Sequence, residues 1–187
     1  MRVFKPVFHE PGNFNETVVP PSGRTVPINL PEGAQEVASA LKAVGREMNR
    51  EFQISTQDGR FRIQKAVYLL KRLRYPAAYR FSYNLYLRGP YSPDLAKAYY
   101  ALRNSGLVTA SPANDIPKTT LSIIVEALVK DDSFLEGLAT ALNVSSKKQP
   151  FQRALSRAKA IKPNIESAVW GEVERFVKSH PRLINPT

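Results

Sequence analysis

The sequence contains no cysteine. That absence excludes a disulfide scaffold, a thiol nucleophile and a cysteine-type zinc site. It also fits a reducing compartment. Histidine is scarce, with His9 near the start and His180 near the end, and no histidine–carboxylate cluster forms a metal-ligand pattern. No apolar run reaches membrane-spanning length; the longest candidate, LSIIVEALV, is interrupted by Glu126. The opening MRVFKPVFHEPGN lacks the apolar centre of a signal peptide. A soluble cytoplasmic protein is expected, with no membrane contact. Phosphate-binding loops, dinucleotide glycine fingerprints and nucleophile elbows are absent too. No catalytic residue, metal or cofactor is therefore expected.

Acidic residues are also missing, but only in places. The formal net charge of the 187-residue chain is +11. Between Asp58 and Asp94 there is no carboxylate, yet eight Arg or Lys. A second acid-free window, from Gly137 to Ile165, holds Lys147, Lys148, Arg153, Arg157, Lys159 and Lys162. Concentrated positive charge attracts phosphates, acidic proteins or anionic lipid surfaces, although it also serves plain solubility.

Proline, in contrast, is abundant at the start. Six of the 15 prolines fall within residues 1–31, which show no sustained helical period. Proline removes a backbone donor and biases its predecessor toward extended geometry. Residues 1–31 read as an extended arm, and residues 32–187 as one α-rich domain. The fold class expected is α+β, mainly α-helical, with a small antiparallel sheet.

Apolar periodicity places the elements. Val37, Leu41, Val44, Met48 and Phe52 form one helical stripe. In RFRIQKAVYLLKRLR (60–74), Ile63, Ala66, Val67, Leu70 and Leu73 form another. Arg62, Lys65, Lys71 and Arg72 then fall on the opposite side, with Phe61 and Tyr68 among them. Such a basic face interleaved with rings can meet nucleic acid; alternatively, the rings pack under a neighbouring element. The run YRFSYNLYLR (79–88) alternates, with Tyr79, Phe81, Tyr83, Leu85 and Leu87 on one face, and predicts a strand.

In GPYSPDL (89–95), Gly89-Pro90 is expected to stop that strand. Ser92 then caps a helix that has Pro93 in its first position and Asp94 in its first turn. Leu95, Ala98, Tyr99 and Leu102 supply its buried stripe, and Gly106 suits its end. GLVTASPANDIPKTTLSII (106–124) reads as strand, polar loop and strand, a wing-like hairpin following the helix. The core about 60–123 is thus winged-helix-like. The rest reads as helices, including PFQRALSRAKAI and NIESAVWGEVERFVKSH, with Asp132 or Ser133 opening one of them.

RIQKAVYLLKRL (62–73) followed by YRFSYNLYLRGPYSPDLAKAYYAL (79–102) resembles the YwgA-like proteins and, more remotely, the Panacea (SocA-like antitoxin) domain. The matching residues are Arg62, Ile63, Gln64, Lys65, Val67, Tyr68 and Leu69, then Gly89, Pro90, Tyr91, Ser92, Asp94 and Leu95. They cover about forty central residues. The resemblance implies a mainly helical, non-enzymatic protein that acts by docking a protein partner, a toxin in the antitoxin case. The proline-rich arm and the basic C-terminal helices depart from that pattern.

Three functions are thus in view. The first is a partner-binding regulator that uses Tyr86, Arg88 and Tyr91. The second is a basic, winged-helix-like DNA- or RNA-binding protein that uses Arg62, Lys65, Lys71, Arg72, Lys147, Lys148, Arg153 and Arg157. Against a standard helix-turn-helix, about twenty residues part the two central helices, where that motif uses three or four. The third, with least support, is a carboxylate-dependent hydrolase using Asp58 or Asp94.

Overall fold

The computed structural model describes residues 33–103, 110–146 and 149–185. The N-terminal arm, Gly106, Lys147 and Lys148 lie outside the described residues. The described chain is mainly helical. Seven helices run in the order α1 (Ala34–Glu47), α2 (Gln57–Arg72), α3 (Pro93–Arg103), α4 (Lys118–Leu128), α5 (Asp132–Val144), α6 (Phe151–Ile161) and α7 (Ser167–Ser179). A two-stranded antiparallel sheet, β1 (Asn84–Tyr86) and β2 (Gly89–Tyr91), stands between α2 and α3. No described helix is long and apolar enough to cross a membrane.

One apolar core runs through all seven helices. Val37, Leu41 and Val44 bury the expected stripe of α1, with Met48 and Phe52 partly covered beyond it. α7 turns Trp170, Val173, Phe176 and Val177 inward. Phe134 of α5 meets the Phe176 ring edge-on at 5.4 Å. That geometry sets the positive rim of one ring against the negative face of the other.

Helix α2 is the central element. The Thr56 hydroxyl accepts from Gly59 N at 3.0 Å and starts it. Gly59 is required there because a Cβ would lie 1.8 Å from the carbonyl oxygen of Gln53. Its first stripe, Ile63, Ala66, Val67 and Leu70, is buried as its spacing predicts. So is a second stripe, Phe61, Gln64, Lys65 and Tyr68. The two rings therefore pack under neighbouring elements. The expected solvent-facing basic side is corrected: β2, α4 and α5 roof it.

Two further expectations are corrected. The strand over 79–88 is reduced to β1, because Pro76 opens a 3₁₀ turn that consumes residues through Arg80. Of its alternating face, Phe81 is buried and Tyr83 half-buried, whereas Tyr79, Leu85 and Leu87 are exposed. Gly89-Pro90 does not stop a strand; it is the start of the second strand. The wing-like hairpin after Gly106 is not found in the described part. Residues 110–117 are irregular, held to α1 by Ala113 N donating to Ser39 O at 2.9 Å, and α4 follows. Thr120, Ile123, Ile124, Ala127 and Leu128 are the buried face of that helix.

Candidate functional site: a clamped hairpin

The two central sequence motifs face each other in the fold. Gln64 lies on the roofed side of α2, opposite Ser92. Its Nε2 donates to Ser92 O at 2.9 Å, and its Oε1 accepts from Ser92 N at 3.0 Å. One side-chain amide thus satisfies both backbone groups of a fully buried residue, as another strand would. The Ser92 hydroxyl accepts from Leu95 N at 3.3 Å and caps α3 as expected.

Lys65, one residue on, donates Nζ to Pro90 O at 2.9 Å. Its side chain is almost wholly buried. Burial pushes its ammonium pKa down to about 7, Glu136 opposing and Arg88 and Lys162 reinforcing the shift, with Asp132 opposing weakly. Gly89 lies directly over it. Its φ is +84°, and a Cβ there would come within 3.1 Å of Thr140 Oγ1 and 3.3 Å of Lys65 Nζ. Only glycine allows both that backbone shape and that approach. Thr140 Oγ1 is buried with no hydrogen-bond partner among the described residues.

A ring of charge closes the clamp. Asp132 of α5 accepts Arg62 Nη2 at 2.8 Å on one oxygen and Arg88 Nη2 at 2.6 Å on the other. The Arg88 guanidinium lies 4.0 Å from the centre of the Phe61 ring. Arg62 also reaches Asp58 at 3.2 Å and the carbonyl oxygen of Leu128 at 2.6 Å, at the C-terminal end of α4. Lys162, just past α6, pairs with Glu136 at 2.7 Å and donates to the carbonyl of Leu87.

The expected site residues therefore divide. Tyr86, Arg88 and Tyr91 share the hairpin, with the Tyr86 and Tyr91 rings edge-to-face at 5.2 Å. Tyr86 is exposed, Tyr91 is half-buried, and Arg88 is engaged inward. Of the expected nucleic-acid contacts, Lys65 is sealed off from solvent. Arg62 serves Asp132 and α4, and Arg72 donates to Leu183 O at 2.9 Å and Ser145 Oγ at 3.1 Å. Lys71 donates to Phe81 O at 2.6 Å, and desolvation lowers its ammonium pKa. The structure thus takes Lys65 out of reach of a nucleic acid, and Arg62, Lys71 and Arg72, which are half-buried, are engaged with neighbouring elements. Arg153 and Arg157 do face solvent, on α6.

Sequence reasoning assigns no role in this cluster to Gln64, Asp132, Glu136, Thr140 or Lys162. One signal is present: Phe61, Gln64, Lys65 and Tyr68 share a helical stripe, and two of the four are large rings. Asp58 is held by Arg62, and Asp94 pairs with Lys97 at 3.3 Å on an exposed turn of α3. Among the described residues no group of three His, Asp or Glu is placed to hold a metal ion.

The outer side of the hairpin is different in kind. Leu85, Tyr86 and Leu87 are consecutive and exposed, Leu87 by 82 %. Comparison with family models, curated proteins and solved structures finds no match to the chain.

Proposed function

We propose that this chain is a non-enzymatic regulatory protein that docks a partner protein on the β1–β2 hairpin. The observation that carries this reading is the exposed run Leu85-Tyr86-Leu87, mounted on a hairpin whose other side is fastened at four points. Leu87 stands largely in water with Leu85 and Tyr86 partly exposed beside it, and exposed apolar surface of this kind favours an occupant. Burying Leu87 alone is worth about 1.5–3 kcal/mol. A fixed base means that little ordering entropy is lost on binding. Aromatic residues such as Tyr86 are enriched where binding energy concentrates. The likeness to YwgA-like and Panacea-like proteins supports the same reading and makes a toxin protein one class of partner.

The test is comparative retention in the native host. Tagged wild type should hold a stoichiometric protein partner that the Leu87→Asp and Tyr86→Ala variants lose. Equal retention by all three would remove the hairpin as the docking surface.

A second reading rests on a separate observation. Gln149, Gln152, Arg153, Ser156 and Arg157 line a shallow groove along α6, and Lys159 is exposed on the next turn. Two guanidinium groups on one groove suit a phosphate backbone, while Gln152 donates to Glu174 and Ser156 to the Gln152 carbonyl. If nucleic acid binds here, fluorescence anisotropy against duplex DNA and single-stranded RNA will show affinity that falls steeply with salt. The log–log slope should shrink by about 1 in Arg153→Glu, and by a similar step in Arg157→Glu, as each removes one cation from a phosphate. No binding at low salt would end this reading.

A further inference from the structure

The hairpin is joined to the domain through side chains. Among the described residues, no backbone hydrogen bond ties residues 82–91 to another element. Its ties are Lys65 to Pro90 O, Arg88 to Asp132 and Lys162 to Leu87 O, with Gln64 holding the backbone of Ser92 at its foot. A two-stranded hairpin is marginally stable alone. It can part from a folded core as a local unit when such ties fail.

One tie differs from the rest in charge. Under the hairpin stand four cations, Arg62, Lys65, Arg88 and Lys162, and three carboxylates, Asp58, Asp132 and Glu136. Arg62 holds Asp58 and Asp132, Arg88 shares Asp132, and Lys162 holds Glu136. Lys65 is the cation left over. Among the described residues its one hydrogen-bond acceptor is Pro90 O, and Nζ otherwise lies 4.9 Å from the centre of the Phe61 ring. An ammonium has three donors and no acceptor, so two of its N–H groups would find no protein partner in a buried place. A neutral amine fits better. It still donates to Pro90 O, and its lone pair can accept a hydroxyl proton. The buried, unpartnered Thr140 hydroxyl stands on the same side: a Cβ on Gly89 would meet Thr140 Oγ1 at 3.1 Å and Lys65 Nζ at 3.3 Å.

We propose that Lys65 is a proton-operated latch: as a neutral amine it seats the β1–β2 hairpin on α2 and α5, and on taking up a proton it releases the hairpin while the helical core stays folded. The charged groups that face Lys65 are Arg88 of the hairpin, Asp132 and Glu136 of α5, and Lys162 beyond α6. Two are positive and two negative, which leaves burial as the largest influence on its charge. Lifting the hairpin returns Nζ to water and its pKa from about 7 toward 10.5. Between those values each opening takes up a proton, so opening becomes rarer as pH rises; below about 7 it is at its most frequent.

The test is amide hydrogen exchange of the whole chain by NMR at pH 6 and pH 8, each rate divided by the intrinsic rate at that pH. The Ser92 amide reports the hairpin, because its bond to Gln64 Oε1 crosses to α2. The Val177 amide, in α7, reports the core. Ser92 should open more readily than Val177 at pH 6. Its opening should fall about tenfold between pH 6 and pH 8, and Lys65→Met should abolish that slope.

An opening of Ser92 that is the same at both pH values would overturn the latch. So would exchange at Ser92 that matches Val177 throughout, since the hairpin would then open only with the whole fold. A slope that persists in Lys65→Met would assign the proton to another group and equally discard Lys65. Should Lys65→Met fail to fold by circular dichroism, the Cε resonance of Lys65 in the wild type decides: a titration midpoint near 7 supports the latch, and one near 10.5 removes it. None of these readouts requires a partner on the outer side of the hairpin, so the latch and the docking function stand or fall separately.

Discussion

Helices α2 and α6 look alike in sequence and differ in what their cations do. Both are basic and amphipathic. α2 is free of carboxylates after Asp58, and α6 is free of them throughout. On α2, Arg62, Lys65, Lys71 and Arg72 all bond carbonyl oxygens of other elements. On α6, Arg153, Arg157 and Lys159 face solvent. The difference is the roof. α2 is surrounded by other elements, so its long cationic side chains pass through apolar surroundings and end on backbone acceptors. α6 packs chiefly on α5 and α7. Local charge density is thus a poor guide to a phosphate-binding face until it is known which helix is central.

The contrast can be broken or sharpened by substitution. The largest effect is expected for Arg62→Ala, which leaves Asp132 and the end of α4 short of their shared donor. A loss of about 3 kcal/mol in urea unfolding is expected, from the charged hydrogen bonds to the Leu128 carbonyl and to Asp132, which Arg88 continues to hold. A loss under about 1 kcal/mol would mean that Arg62 is no more buried in energy than a surface residue.

Lys65 follows, through pH. Its folded-state value near 7 lies below the unfolded value near 10.5. Between those limits the unfolded chain holds a proton that the folded chain lacks, so stability rises with pH. The penalty of burying the charge is complete below about 7 and gone above about 10.5. Lys65→Met has no such titration. From pH 6 to 9, the stability difference between wild type and variant should move by about 3 kcal/mol in favour of wild type. A flat difference would show that Lys65 stays charged when buried. The raised hydroxyls of Tyr68 and Tyr83, pushed up first by burial, act near and above pH 10 and cancel in the comparison.

Arg72→Ala comes next, at about 2 kcal/mol, since it strips charged hydrogen bonds from Leu183 O and Ser145. The smallest effect is expected on α6. Arg153→Ala and Arg157→Ala should each change thermal stability by less than about 0.5 kcal/mol. A larger loss would place α6 with α2 and end the distinction.

Features legible in the sequence were those fixed by neighbours along the chain. The stripe of α1 and the Ser92 cap depend on spacings of three and four, and on one hydroxyl near its own helix. α4 was hidden because TTLSII is rich in β-branched residues, whose strand preference masked a helical spacing that packing against α1 and α2 then enforced. The alternation in 79–88 was real as a pattern, but Pro76 and the positive φ of Gly89 set the pairing elsewhere. The hairpin residues Tyr86, Arg88 and Tyr91 were legible as a junction. Their clamp was not, because Gln64 and Ser92 are 28 residues apart, and Arg88 and Asp132 are 44. Pairings across such separations leave no periodicity to read.

Lys162 has a mechanical consequence. A hairpin held only at its base would open from the tip, one bond at a time, under a pull from a bound partner. Here an ammonium from the far side of the chain holds the tip itself, at Leu87, and anchors it to Glu136. A load applied there is shared at once by α5 and the segment after α6.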